Sequence, residues 1–328
     1  MYPLRFEPLF QRYLWGGHRL GQVLNKPIGD QTAAESWEVV DHGDDQSVVA
    51  HGSLVGKTLR ELMVEQGPAL IGPRLLEKTS AASIPDNLKG RFPLLLKFLD
   101  ANSNLSLQVH PDDEMGATLL PPDLGKTEAW YVMHADPGAK IYAGLKPDVT
   151  VDEFRAALND GSTESLVHSF EPKAGQCVMI YAGTIHAIGA GLLIAEIQQA
   201  SNTTFRLFDW NRVDAAGNSR PLHIDQGVQA TNFEQGPIQA EPPRTLEDSR
   251  CTRIVECEKF VMNRWDSDSA IAFEMKNSHS FRILAVTEGE VQISDDPSNQ
   301  PLGKGQTVLL PACLASTIVT PNGKAEVL

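Results

Sequence analysis

Between residues 105 and 110 the chain alternates strictly between apolar and polar: Leu105, Ser106, Leu107, Gln108, Val109, His110. On a β-strand successive side chains point to opposite faces, so Leu105, Leu107 and Val109 would share one side, with Gln108 and His110 adjacent on the other. An amide and an imidazole two residues apart on one face make half of a metal site; the same pattern also fits a half-exposed strand with a solvated polar face. A second spacing recurs along the chain. Gly175, five residues, Tyr181, Ala182, Gly183, two residues and His186 return as Gly305, five residues, Pro311, Ala312, Cys313, two residues and Ser316. The second copy has lost the imidazole.

The elements that must position these residues are mainly strands. Short β-rich runs separated by Gly, Pro, Asn and Asp are expected at 35–40, 92–99, 127–133, 177–181, 192–198, 203–209, 281–286 and 307–310. Two helices are predicted from capping boxes, in which a hydroxyl and a carboxylate satisfy opposite orphan backbone donors: Thr58 with Glu61, and Thr150 with Glu153. The fold expected is mainly β with helical insertions at about 57–72 and 150–168. A weak boundary lies at 235–247, where Gly236, Pro237, Pro242 and Pro243 cluster with acidic residues. It divides the chain into a domain over 1–240 and a C-terminal β domain over 245–328.

Composition narrows the chemistry. The apolar and charged fractions of 41% and 21% are those of an ordinary soluble globular chain, and its 328 residues are enough for a substantial core. No apolar run approaches the roughly 20 residues needed to span a bilayer. The first twelve residues include Arg5, Glu7 and Arg12 and no signal-peptide core, as expected of a cytoplasmic protein. Cys177, Cys251, Cys257 and Cys313 lie far apart with no C-x-x-C pair, which argues against a disulfide framework or a thiolate zinc site. A metal must therefore use His, carboxylate or amide ligands. The net charge of -14 disfavours nucleic acid and anionic membranes as partners, and an anionic substrate would have to be held by a few local cations.

The repeated spacing resembles the second motif of the cupin barrels, with Tyr181 in place of its proline. The first cupin motif, two ligands at i and i+2 on one strand and a carboxylate on the next, fits Gln108, His110 and Glu128. The resemblance implies a bicupin of two jelly-roll β-barrels, the C-terminal one degenerate. It also implies one metal site built from Gln108, His110, Glu128 and His186, a donor set suited to a borderline divalent ion such as zinc, one per chain. No metal is expected at Ser316.

Longer strings narrow this further. Gln108-Val109-His110-Pro111-Asp112-Asp113, Gly125-Lys126-Thr127-Glu128-Ala129-Trp130-Tyr131, Ala182-Gly183-Thr184-Ile185-His186-Ala187-Ile188-Gly189 and the run Glu196 to Arg206 resemble the type I mannose-6-phosphate isomerases in their short bacterial form. Tyr13-Leu14-Trp15-Gly16-Gly17, Glu35-Ser36-Trp37-Glu38-Val39 and Arg220-Pro221-Leu222-His223 fit as well. The likeness is good over about 1–235 and loose beyond. It implies interconversion of mannose 6-phosphate and fructose 6-phosphate through a cis-enediol, with Arg206 as the active-site arginine and Lys126 as the lysine two residues before the ligand glutamate. Asn202 stands where the family often has Asp, so ligand contacts there are left open.

The residues alone ask for a reaction in which a metal polarises oxygen while nearby cations hold an anion, which aldose–ketose isomerisation of a sugar phosphate satisfies. On a strand over 203–209, Arg206 would share a face with Thr204 and Phe208; the alternative is a surface ion pair with Asp209 or Asp214. The general base is open. Glu196 is the leading candidate, with Glu35 and Glu38 as others, and each could instead be a buried carboxylate that orients a ligand. His223 is equally ambiguous, and Lys97 either reaches the site or snorkels at a strand edge. Competing functions are a cupin oxygenase, which would usually use a third His where Gln108 stands, and a non-catalytic sugar-binding bicupin.

Overall fold

The computed structural model describes residues 1–213, 216–274 and 280–328. Its core is a strand arrangement that occurs twice. In the first half a six-stranded antiparallel sheet runs, from one edge to the other, through Cys177–Ile180, Glu128–Ala135, Leu192–Gln199, Leu94–Ala101, Glu35–Val39 and Leu9–Gln11. In the second half the corresponding order is Thr307–Leu310, Arg282–Glu288, Ala325–Val327, Val261–Ser267, Cys251–Glu256 and Arg244–Thr245. A smaller sheet accompanies each: Val167–Phe170, Ile141–Leu145, His186–Ile188, Leu107–Val109 and Phe205–Phe208 in the first half, and Leu302–Gly303, Glu290–Ile293, Ser316–Pro321 and Ile271–Glu274 in the second. Chain order within the two halves is the same, except that among the described residues Phe205–Phe208 has no counterpart in the second half. The glycines that open the repeated spacing, Gly175 and Gly305, both take left-handed backbone (φ 86° and 79°), which L side chains rarely adopt.

Alternation along the strands distributes the cores. In the first half Leu99, Trp130, Ile180, Ile194, Ala143 and Ile188 fill the space between the two sheets. The opposite face of the large sheet, with Leu96, Phe98, Ala129, Tyr131, Met179 and Ala195, joins Ile254, Met262, Ala285 and Leu309 of the second half in one shared core. The strands Leu94–Ala101 and Leu192–Gln199 are therefore buried along their whole length, the polar Lys97, Asp100, Glu196, Gln198 and Gln199 included. The N-terminus ties the halves together, since Leu4 and Leu309 exchange backbone hydrogen bonds and Arg5 pairs with Asp296 at 2.5 Å in a buried contact.

Both capping boxes form. The helix Leu59–Ile71 is followed by a second, Pro73–Thr79, so the first insertion runs past residue 72; Gly72 (φ 91°) breaks the axis and Pro73 restarts it at a position where its missing N–H costs nothing. The segment 235–243 is held against the first half, with Ile238 N donating to Ala143 O and Glu241 N to Cys177 O. Among the described residues no helix is long and apolar enough to cross a membrane.

Candidate metal centre

The alternating segment forms a strand only over Leu107–Val109. Leu107 and Val109 pack outward beneath the helices Val151–Asp160 and Ile224–Ala230, whereas Leu105 joins the inter-sheet core. The expected common face of all three thus ends at Leu107, because Leu105 precedes the ladder and is tied by its N–H to Ile188 O. Gln108 keeps the inward face. It lies between two partners in the small sheet, opposite His186 on one side and opposite Arg206 on the other. Glu128 arrives from the large sheet, where it starts its strand opposite Ile180 and Gln198.

His110 and His186 are each 1% exposed, and their rings lie 4.7 Å apart. Each accepts a fixed orientation from a carbonyl: Nδ1 of His110 donates to Thr203 O and Nδ1 of His186 to Thr184 O, both at 2.8 Å. A carbonyl can only accept, so the proton sits on Nδ1 and the Nε2 lone pairs face inward. Both Nε2 atoms lie 3.5 Å from oxygens of Glu128. Ligand atoms of His110, Glu128 and His186 all fall within 4.8 Å of one another. Burial and the ammonium of Lys126 depress both imidazoles, His186 to about 3, so each is neutral and its lone pair is available. Gln108 completes the ring of donors, its amide nitrogen 3.3 Å from His186 Nε2 and its oxygen accepting from Ser106 Oγ at 3.1 Å. An amide turned over presents oxygen instead, and the Ser106 hydroxyl serves either orientation. Two imidazoles, a carboxylate and an amide oxygen fit a divalent cation. The cation these atoms hold in the structure is the Lys126 ammonium, 2.8 Å from His110 Nε2 and bonded to Glu128 Oε2.

A cavity of about 310 Å³ opens over these groups, lined also by Glu196, Lys97, Glu35, Arg206, Trp15 and Tyr13. Lys97 and Glu196 face each other in register on the large sheet, with Lys97 Nζ 3.3 Å from Glu196 Oε1 and 3.4 Å from Glu35 Oε2. Burial opposes the charge on Lys97, but Glu196, Glu35 and Glu128 outweigh it and hold its pKa above the ordinary lysine value. Glu196 is pushed up by burial and by Glu128, and its Oε1, in ion-pair contact only, accepts no aligned hydrogen bond.

Arg206 and Thr204 line the cavity while Phe208 packs with the outer core. A β-bulge between Arg206 and Phe208 inserts an extra residue and breaks their expected common face. Asp209 is engaged by Arg212 at 2.5 Å and Arg220 at 2.6 Å, and Asp214 lies outside the described residues. Arg206 instead donates to Pro221 O at 2.9 Å, and among the described residues its buried Nε has no hydrogen-bond partner. His223 accepts from Arg206 N and so braces this strand, lying outside the cavity lining. Glu38 points to the far face of the sheet, paired with Lys26 at 2.6 Å.

Residues to which sequence reading attached no role also line the cavity. Arg220 and Tyr13 border both it and an outer groove of about 890 Å³ that continues over Arg12, Leu14 and Arg212. Their motifs, Arg220-Pro221-Leu222-His223 and Tyr13-Leu14-Trp15-Gly16-Gly17, were the available signal. Asp123, which gathers the loop before Glu128, had none.

Comparison with known proteins agrees with this geometry. Residues 4–159 match the family model of the phosphomannose isomerase type I catalytic domain. Mannose-6-phosphate isomerase ManA of Bacillus subtilis is 34% identical over 94% of this chain and 93% of its own length. Mannose-6-phosphate isomerase of Streptococcus mutans is 33% identical over 96% and 94%. The crystal structure of a mannose 6-phosphate isomerase from Bacillus subtilis superposes with a TM-score of 0.86 at 28% identity, covering 100% of this chain and 99% of that one. Shared sequence over almost the whole length and a shared strand arrangement lead to one conclusion: the chain belongs to the type I phosphomannose isomerase family.

Proposed function

We propose that this protein interconverts mannose 6-phosphate and fructose 6-phosphate as a cytoplasmic, zinc-dependent isomerase with one metal per chain. The proposed architecture is a bicupin, with a catalytic jelly roll and its helical insertions over 1–240 and a degenerate one over 245–328. The observation that carries the reading is the pair of imidazoles whose Nε2 lone pairs converge with Glu128 beneath a cavity bordered by cations. His110, His186, Glu128 and the Gln108 oxygen would hold the ion. Bound there, a divalent cation polarises substrate oxygen and offsets negative charge that develops on it.

The remaining groups account for the chemistry. The reaction removes a proton from C2 of the aldose; that electron pair forms the C1–C2 double bond, the C1 carbonyl oxygen takes up a proton, and a cis-enediol results. Loss of the C2 hydroxyl proton and return of a proton to C1 then give the ketose. Glu196 suits the base role. Its Oε1 makes ion-pair contacts only, to Lys97 and Lys126, and burial together with Glu128 raises its pKa above the ordinary carboxylate value. Lys126 Nζ engages the same atoms of His110 and Glu128 that would hold a divalent ion; with those atoms occupied by an ion, the ammonium would be left to face the substrate's developing charge. Arg206, with Arg212 and Arg220 around Asp209, supplies an excess of positive charge at the cavity mouth that fits a phosphate dianion in an acidic protein. Formation of fructose 6-phosphate from mannose 6-phosphate, measured with and without a chelator, tests the proposal. Turnover that is absent from the untreated enzyme would refute it.

A further inference from the structure

The two histidines of the candidate centre are oriented in different ways. His186 is held by the carbonyl of Thr184, two residues before it in the same turn. His110 depends on the carbonyl of Thr203, ninety-three residues away. The position of that carbonyl must be imposed by tertiary contacts, and the contacts converge on one side chain. Asp123 Oδ2 accepts from Thr203 Oγ1 at 2.7 Å, Ser201 Oγ at 3.0 Å and Asn202 N at 3.2 Å, while Oδ1 accepts from Leu124 N at 2.9 Å. His42 closes the other side, with Nε2 3.3 Å from Oδ1. The carboxylate is buried, 8% exposed, and it stands three residues before Lys126 and five before Glu128.

We infer that Asp123 is a positioning residue for the metal centre: by drawing segment 201–203 onto the loop that carries Lys126 and Glu128, it sets the Thr203 carbonyl that aims His110 Nε2. The inference rests on the metal reading above. In metal sites a group that hydrogen-bonds the far nitrogen of a ligating imidazole fixes its tautomer and ring direction. Burial alone would raise the pKa of Asp123, but the hydrogen bonds from His42 and Thr203 outweigh it and bring the value to about 2. These contacts favour the anionic form of the anchor.

The experiment compares wild type with Asp123→Ala, Asp123→Asn and Thr203→Val, the last of which removes the hydroxyl and keeps the carbonyl. The readouts are metal retained during dialysis against graded chelator and the visible d–d bands of the cobalt(II)-substituted proteins. Asp123→Ala is expected to bind metal on the order of 10–100-fold more weakly, with shifted cobalt bands. Asp123→Asn, which can still accept from Thr203 and Ser201, should recover part of the affinity, and Thr203→Val should move in the same direction as the alanine variant. If Asp123→Ala does not fold, the other two variants decide. Wild-type affinity and unaltered cobalt bands in folded variants would overturn the inference while leaving the metal reading intact. A wild-type protein that takes up no divalent ion would overturn both.

Discussion

The two halves of this chain have the same strand order and different contents. In the first, the register of the small sheet sets Gln108 against His186, and the large sheet sets Glu128 against Ile180. In the second, the same places hold Glu274 against Ser316 and Arg282 against Leu310; the counterpart of His110 falls at 276, outside the described residues. Arg282 lies over the ring of Phe273, 5.2 Å from its centroid, and Ser316 is exposed at the start of its strand. The space between the second pair of sheets is filled by Phe273, Leu284, Val286, Val308 and Val319. A common scaffold thus encloses charged chemistry in one copy and a plain apolar core in the other, so the side chains aimed inward at one end of the sheets, and not the strand arrangement, decide which half can act.

The comparison is broken most severely at the ligands. His110→Ala or His186→Ala should abolish metal binding and turnover, a loss beyond the roughly 10–100-fold that removal of an outer-shell partner costs. Elemental analysis and a steady-state assay of the folded variants check this, and full metal content in both would move the centre elsewhere.

A smaller effect is expected at the mouth of the same half. Arg206→Ala should keep the metal and lower kcat by about a hundred- to a thousandfold if the guanidinium stabilises charge that develops in the transition state. A raised KM with unchanged kcat would restrict Arg206 to holding phosphate. The second half provides the zero of the scale. Ser316→Ala should leave metal content and turnover at wild-type values, and Ser316→His should gain no metal, because Arg282 occupies the place of the carboxylate. A tenfold fall in activity in a folded Ser316→Ala protein would contradict the division of labour between the halves.

Local signals carried much of this into the sequence. The capping boxes at Thr58 and Thr150 are complete within four residues, and both helices form where they begin. The repeat spacing is equally local, since a left-handed glycine, a four-residue strand and a turn reproduce the same geometry at 175–186 and 305–316. What was illegible depends on contacts between distant segments. Leu105 leaves the expected face because of a bond to Ile188, Phe208 leaves it at a bulge, and Asp123 acquires its partners from 42 and 201–203. Glu35 and Glu38 illustrate the same limit. Three residues apart on a strand they take opposite faces, and only the fold shows that Glu35 meets the cavity while Glu38 is spent on Lys26.

Catalysis in the first half should require a divalent ion at His110, Glu128 and His186. This requirement is tested most directly by stripping the protein with a chelator and following conversion of mannose 6-phosphate to fructose 6-phosphate as zinc is added back. No turnover is expected in the stripped protein, with full recovery at one equivalent of zinc per chain. Undiminished turnover in protein proven free of metal would contradict it.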